Sequence, residues 1–304
     1  MKSIYRYLII VTVVTAISFP GYNWYRRHPD SGRRIRSYIY LLDRYVMQKK
    51  YLIAESIYGT KFKFNIRDVV GRSIYKGKDY EPDLTKFVLK TISYEPSDII
   101  LDVGANLGWY SINISKLYPD NSIKIFAFEP DDVNFALLNE NIKLNNSTNI
   151  ITINKAIAEQ HDQKVLYKYP DKNLGRHSLF RDHKLDQQQI LVETISLDEF
   201  ITTQHLNTDK IKLLKIDVEG YEYQVLLGCI KTLPNVLYIL HEFSPVVMRQ
   251  NNIDPKELLN LLLNNNFEAF IITDGGTSLK PIDAIDMVKL SEGTNLLWIN
   301  KFKN

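Results

Sequence analysis

Five side chains in two short runs are of the types that move protons. The run LLKIDVEGYEYQVLLG, Leu213–Gly228, carries Lys215, Asp217 and Glu219 at every second position, and ILHEFSP, Ile239–Pro245, carries His241 and Glu242. Period-two alternation puts Lys215, Asp217 and Glu219 on one face where a strand gives way to a loop. Charged groups gathered at strand ends of a parallel sheet cost free energy unless they pair or do chemistry. A carboxylate there suits general-base work, taking a proton from a hydroxyl as its oxygen attacks an electrophile. Asp217 or Glu219 is the expected base, Lys215 holds it ionised, and His241 or Glu242 completes the acceptor pocket. Two other readings fit the same residues. One is a buried ion network that only fixes the loop. The other is a magnesium site built from the oxygens of Asp217, Glu219 and Glu242, although nothing in the spacing requires a metal.

A second constellation lies upstream, in IILDVGANLGWYS, Ile99–Ser111. An apolar strand ends in Asp102, turns through Gly104, Ala105 and Asn106, and enters a helix near Gly108. Gly104 is expected to let the backbone approach a ligand closely. The N–H groups at the helix start suit a ligand carboxylate, and Asp102 suits an amino group. Glu129 closes the next strand in IFAFEP, 27 residues after Asp102, where a carboxylate accepts both hydroxyls of an adenosine ribose. The glycine spacing is G-x-x-x-G rather than the G-x-G-x-x-G that lays a pyrophosphate on a helix. This favours a ligand without a pyrophosphate, S-adenosylmethionine rather than NAD. The candidate binding residues are Asp102, Gly104, Ala105, Asn106, Gly108 and Glu129, with a purely structural glycine turn as the competing reading.

These side chains have to be positioned by regular elements. Strand patterns at Ile99–Val103, Ser122–Phe128, Ile150–Ile157, Ile211–Ile216 and Val236–Leu240 alternate with helical patterns at Trp109–Leu117, about Asp132–Leu144 and about Tyr223–Leu233. Glu81-Pro82-Asp83 reads as a helix start, and Asp254-Pro255 opens another helix running to about Leu263. Such alternation implies a parallel sheet with helices on both faces. The last two strands, Phe267–Ile272 and Asn295–Ile299, have no clear helix between them and are expected to pair antiparallel. Upstream, a helix is expected over Tyr38–Ala54 and a strand over Lys61–Val70. In the irregular stretch from Glu159 to Glu193, the part around Asn173-Leu174-Gly175 and His177-Ser178 is expected to overhang the ligand crevice and shape the acceptor site, or else to form a structural hairpin. Its histidines, His161, His177 and His183, form no ligand pattern.

Taken together, DVGANLGWYS, FAFEP, NLGRHSLF at Asn173–Phe180, ISLDEF at Ile195–Phe200, KIDVEGYE and HEFSP stand in an order that resembles the FkbM-type methyltransferase family, from about Pro82 to Pro245. The resemblance implies an α/β, class I methyltransferase fold. This is a Rossmann-like, seven-stranded, mostly parallel sheet with an antiparallel edge strand, here with an added N-terminal helix. It implies methyl transfer from S-adenosylmethionine, usually to oxygen, on a sugar, glycan or other small-molecule or lipid-linked acceptor. It also matches Asp102, Gly104, Asn106 and Glu129 to cofactor positions. A non-catalytic S-adenosylmethionine-binding module would not need the acidic cluster. A protein or nucleic-acid methyltransferase would carry an acceptor motif such as Asn/Asp-Pro-Pro-Tyr, which this chain lacks.

The charge distribution narrows the partners. Of 38 Lys and Arg, ten lie in residues 1–50 against two Asp, leaving 28 basic and 33 acidic residues in the remainder of the 304. The body is therefore acidic, which argues against a nucleic-acid partner. Tyr7–Phe19 (YLIIVTVVTAISF) is apolar, with Lys2 and Arg6 before it and Arg26, Arg27, Arg33, Arg34 and Arg36 after it. This reads as a single-pass membrane anchor with the catalytic domain in the cytoplasm. A cleaved signal peptide and an interfacial helix are the competing readings. The expected organisation is an anchor with its basic flank over 1–36, an extension over 37–80 and a methyltransferase domain over 81–304. Cys229 is the single cysteine, so no intrachain disulfide forms.

Overall fold

The structure is a computed structural model that describes residues 31–169, 176–181, 187–290 and 293–303. They divide into two compact units, one ending at Tyr80 and the other beginning at Glu81. The first contains α1 (Ser31–Tyr45), a hairpin of β1 (Tyr51–Glu55) and β2 (Lys61–Asn65), and α2 (Val69–Gly77). Leu52 and Ala54 alternate inward with Phe62 and Phe64, so the hairpin has one apolar face. The helix expected over Tyr38–Ala54 is thus broken. Gln48 turns the chain at a φ of 53°, and the residues after it follow a period of two. Asp68 caps α2 by accepting the Gly71 N–H, which ends the expected Lys61–Val70 strand early.

The expected membrane anchor is corrected. Among the described residues no helix is long and apolar enough to cross a membrane. The segment Tyr7–Phe19 itself lies outside the described residues, and its thirteen-residue apolar run falls short of the roughly 20 that a spanning helix needs.

The second unit opens with α3 (Pro82–Lys86) and a wide turn over Phe87–Thr91. It continues through β3 (Ile99–Val103), α4 (Trp109–Leu117), β4 (Lys124–Phe128), α5 (Asp132–Leu144) and β5 (Ile150–Ile153). Next come β6 (Ala156–Ile157), β7 (Asp162–Lys168), β8 (Gln188–Ile195) and α6 (Leu197–Thr203). The chain then runs through β9 (Ile211–Ile216), α7 (Glu222–Leu227), β10 (Tyr238–Phe243), α8 (Pro245–Gln250) and α9 (Pro255–Asn264). It finishes with β11 (Phe267–Thr273), β12 (Ser278–Pro281), α10 (Ala284–Val288) and β13 (Thr294–Asn300).

The main sheet has eight strands in the order β12-β11-β13-β10-β9-β3-β4-β5. Its β10-β9-β3-β4-β5 segment is parallel, as the Rossmann-like expectation requires. The expected antiparallel pairing of the last long strands is present between β11 and β13. However, β13 also pairs antiparallel with β10, so the reversed strand is interior, and β12 adds an eighth, antiparallel strand at the edge. The strand expected over Ile150–Ile157 splits, because β6 leaves the main sheet to join β7 and β8 in a three-stranded sheet. From β3 the chain winds outward through β4 and β5, then returns to β9 on the other side of β3. This reversal leaves a crevice at the carboxyl ends of β3 and β9, the ligand position in open α/β sheets.

Strand register decides which residues reach that crevice. Asp102 lies opposite Lys215, and Leu240 opposite Lys215, whereas His241 lies opposite Ile216. His241 therefore points to the other face. It is buried there, with its Nε2 accepting from Trp298 Nε1 at 2.9 Å and its Nδ1 hydrogen donated to the Glu242 carbonyl at 3.0 Å. Trp298→Phe would leave Nε2 without a donor in the core, at a cost of about 1–3 kcal/mol. Urea titration should show that loss; an unchanged midpoint would mean the bond contributes nothing.

Candidate active site

Lys215 is the hub of the crevice. Its ammonium is buried, 3.3 Å from Asp102 Oδ1 and 3.4 Å from Asp217 Oδ2, and it donates to the Gly104 carbonyl at 3.3 Å. The Asp102 contact is an ion pair without hydrogen-bond alignment. Burial opposes the charge on Lys215, but Asp102, Asp217 and Glu81 outweigh it and hold the ammonium above the ordinary lysine range. Ser111 on α4 donates to Asp102 Oδ2 at 2.6 Å, so the helix is tied to the same network. Asp102 is only 1% exposed. Its partners within the protein are Lys215 and Ser111.

The β3–α4 loop is held just as tightly. Gly104 and Ala105 N–H groups donate to the Phe128 carbonyl at 3.0 and 2.9 Å, and the Asn106 N–H donates to Glu129 Oε2 at 2.9 Å. Three N–H groups of the loop ahead of α4 are therefore taken by the end of β4. Gly104 is required for a second reason that the sequence did not reveal. It has a φ of +78°, and a Cβ there would fall 1.9 Å from the Asp217 carbonyl oxygen. This crowding comes from the turn that follows the protein's own β9. Gly108 caps α4 at a φ of +87°, where a Cβ would strike Leu138 and Ile112.

Glu129 is buried at the end of β4 and accepts the N–H groups of Asn106 and Asp131, each at 2.9 Å. Burial raises its pKa to about 7 against the pull of those two N–H groups. Beside it, Asn106 Oδ1 is buried with no partner. A buried carboxyl with spare lone pairs and an orphaned amide oxygen together fit a ligand that brings hydroxyl or amino donors, which is what an adenosine ribose offers. Glu129 and Asn106, with the Gly104–Gly108 loop, are the residues that would hold it.

Strand β9 stops at Ile216, so Asp217 and Glu219 are placed by the following turn and not by the pleat. Glu219 adopts a φ of 54°, and its carbonyl accepts Ser178 Oγ at 2.9 Å. Glu222 Oε1 accepts the N–H groups of Val218 and Gly220 at 3.3 and 3.0 Å, closing the turn from beneath. Glu219 Oε2 accepts Arg176 Nε at 3.3 Å. Burial, then the charge of Asp217, raise the Glu219 pKa to about 8, with Arg176 opposing. A cavity of about 300 Å³ opens here, lined by Glu219, Glu242, Arg176, Ser178, Tyr169 and Phe180 among others. Burial and Asp217 also raise the pKa of Glu242, with Ser244 opposing.

The structure thus brings Lys215, Asp217, Glu219 and Glu242 to one crevice and sets His241 apart. Among the described residues no three His, Cys, Asp or Glu side chains are grouped to hold a metal ion. Of the stretch expected to shape the acceptor site, Arg176, His177 and Ser178 are described, and Asn173, Leu174 and Gly175 lie outside the described residues, as does His183. Three contributors were missed. Glu81, read only as a helix start, accepts Tyr110 Oη at 2.6 Å, and burial and Asp217 raise its pKa. Tyr110 and Arg176 were the others. Arg176 stands inside the quoted NLGRHSLF motif, so a basic residue paired against an acidic cluster was the available signal.

A family model described as the methyltransferase FkbM domain matches residues 102–269. The chain is 26% identical over 213 residues to the hexuronic acid methyltransferase AglP of Haloferax volcanii, which spans 69% of this chain and 79% of that protein. It is 25% identical over 183 residues to the 2-O-methyltransferase NoeI of Sinorhizobium fredii, covering 55% of this chain and 72% of the relative. Among solved structures, the methyltransferase FkbM of Methylobacillus flagellatus KT aligns over 74% of this chain and 49% of that longer one, at 13% identity and a TM-score of 0.44.

The buried acids set a pH dependence. Burial raises the Glu222 pKa to about 8, while an unfolded glutamate titrates near 4.3. Between those values the folded state binds more protons, so stability is fullest below about pH 4.3 and falls as pH rises through 8. Glu222→Gln keeps an amide oxygen for both turn N–H groups and removes the buried charge. At pH 9 the variant should melt higher than the wild type, and below about pH 4 the two should nearly coincide. A lower melting temperature at pH 9 would contradict this assignment.

Proposed function

We propose, from the premise that this chain belongs to the methyltransferase FkbM domain family, that it methylates a hydroxyl on a sugar or glycan. Family membership makes it an S-adenosylmethionine-dependent methyltransferase. The finer reading rests on one observation: two carboxyl groups, Glu219 and Glu242, line an acceptor-sized cavity beside the carboxyl end of β9. Its volume of about 300 Å³ lies at the small end of the ligand pocket range of about 300–1,000 Å³. Tyr169 and Phe180 supply apolar walls, and Ser178 and Ser244 supply hydroxyls. Two relatives point the same way, one a hexuronic acid methyltransferase and the other a 2-O-methyltransferase. Residues 81–304 are the part proposed to carry the reaction.

S-adenosylmethionine supplies an electrophilic methyl group on a sulfonium. The chain's own residues do the rest. Glu129 accepts ribose hydroxyls, and Asn106 Oδ1 gains the donor it lacks. The Lys215–Asp102 pair fixes the loop that carries Asn106. Glu219 is the proposed base, because it lines the cavity, whereas Asp217 is engaged by Lys215. As the acceptor oxygen attacks, its proton passes to a Glu219 carboxylate oxygen. A base whose pKa of about 8 lies near the operating pH is suited to that transfer. Glu242 holds a neighbouring acceptor hydroxyl.

The test is to incubate the full chain with methyl-labelled S-adenosylmethionine and a panel of hexoses, hexuronates and their oligosaccharides. Label should enter a sugar as an alkali-stable ether. Label found only in an alkali-labile ester, or only in protein, would overturn the hydroxyl assignment. On the acceptor that takes label, Glu219→Gln should lower turnover by about 10²- to 10⁴-fold, with donor binding unchanged. Loss only in Asp217→Asn would move the base to Asp217. Glu129→Ala removes a charged acceptor worth about 1.5–3 kcal/mol, so calorimetry should show donor affinity falling about 10- to 150-fold. Unchanged affinity would contradict the ribose role.

A further inference from the structure

The described part of the connection between β7 and β8, residues 176–181, leans on the turn that carries Glu219. Ser178 pairs with Tyr167 of β7 through two backbone hydrogen bonds, 2.8 and 3.2 Å long, and the Tyr169 N–H donates to His177 Nδ1 at 3.2 Å. These bonds tie Arg176–Ser178 to the hairpin. From that base Ser178 Oγ reaches the Glu219 carbonyl, and the Arg176 guanidinium lies 5.3 Å from the centre of the Tyr169 ring while its Nε meets Glu219 Oε2. One short segment thus grips both the backbone and the carboxylate of Glu219.

The charges around that carboxylate are unbalanced. Asp217 stands on its own turn, Glu222 at the start of α7, Glu242 on β10, and Glu81 ahead of α3 faces Asp217 and Glu242. Of the cations, Lys215 is committed to Asp102 and Asp217, and Arg181 lines the cavity without an ion-pair partner among the described residues. Among the described residues, Arg176 is the cation in direct contact with Glu219.

We propose that Arg176 is a positioning residue for the reaction: it favours the ionised form of the Glu219 carboxylate and aims it into the acceptor cavity, with Tyr169 fixing the guanidinium plane. This rests on Glu219 being the base, and it adds a role for a residue outside the donor-binding elements. It also gives the β7–β8 connection a task beyond walling the acceptor site. An opposite charge in contact lowers a carboxyl pKa by about 1–3 units. The Arg176 side chain is half exposed, with 52% of its surface accessible, so solvent screening brings the expected effect to about one unit.

The measurement is a carbon-13 titration of the full chain labelled at glutamate carboxyl groups, with the Glu219 signal assigned by its loss in Glu219→Gln. Removing the cation in Arg176→Gln should raise the Glu219 midpoint by about one pH unit. Arg176→Met, which keeps the alkyl stem against Tyr169, should give the same rise if the first variant does not fold. Arg176→Lys should restore part of the difference. A merely structural role would lower stability and leave the midpoint where it is, and an unmoved midpoint overturns the inference. Turnover separates the two layers. Wild-type turnover in Glu219→Gln overturns the base assignment and this inference with it. Slow turnover in that variant, with unmoved midpoints in the Arg176 variants, overturns the inference alone.

Discussion

A lysine ammonium buried between two carboxylates, at the junction of the two central strands, constrains everything around it. Taking the Lys215 charge out of water costs several kcal/mol unless it is paired closely, and Asp102, Asp217 and the Gly104 carbonyl supply that pairing. Each partner carries a structural consequence. Asp102 must lie in register with Lys215, which sets β3 against β9. Ser111 must reach Asp102, which sets α4 against the sheet. The Asp217 carbonyl occupies the space of a Gly104 side chain, so the two loops interlock at the crevice, where donor and acceptor must meet.

Once Lys215 is committed there, the remaining acids of the crevice outnumber the cation in contact with them, Arg176 at Glu219. Glu81, Glu219 and Glu242 all have raised pKa values, with burial the largest cause and the Asp217 charge the next. This is a costly arrangement for stability and a useful one for proton transfer, because a carboxylate short of counter-charge gains by accepting a proton. Glu129 and Glu222 are raised by burial too, but backbone N–H groups occupy their oxygens. Those two fix the backbone around the crevice, and the proposed chemistry falls to the cavity-facing acids.

The fold was legible because its signals are local. Apolar strands ending in Asp102 and Glu129, the glycine turn between them and the KIDVEGYE run identify the architecture and family without long-range information. Residue types also placed Lys215, Asp217, Glu219 and Glu242 together correctly. What could not be read depends on exact strand ends and register. A strand running from Tyr238 to Phe243, rather than ending near Leu240, turns His241 away from the crevice and puts it against Trp298. The end of β9 at Ile216 hands Glu219 to a turn. Gly104 was singled out for its approach to a ligand, but its crowding by a protein atom was not legible, since that atom lies 113 positions away in Asp217. Glu81 and Arg176 enter the site from distant segments that no periodicity connects to it.

The central claim is that the Lys215 network fixes the loop that holds the donor. The double variant Asp102→Asn with Lys215→Met removes the buried ion pair as a unit and leaves only the solvent-accessible Asp217 without its lysine. Isothermal calorimetry of S-adenosylhomocysteine binding to this variant tests the claim most directly, with thermal unfolding as the check on its fold. The account expects a cooperatively unfolding protein that binds the ligand at least about tenfold more weakly than the wild type, a loss of about 1.4 kcal/mol. A folded double variant that binds with wild-type affinity would contradict it.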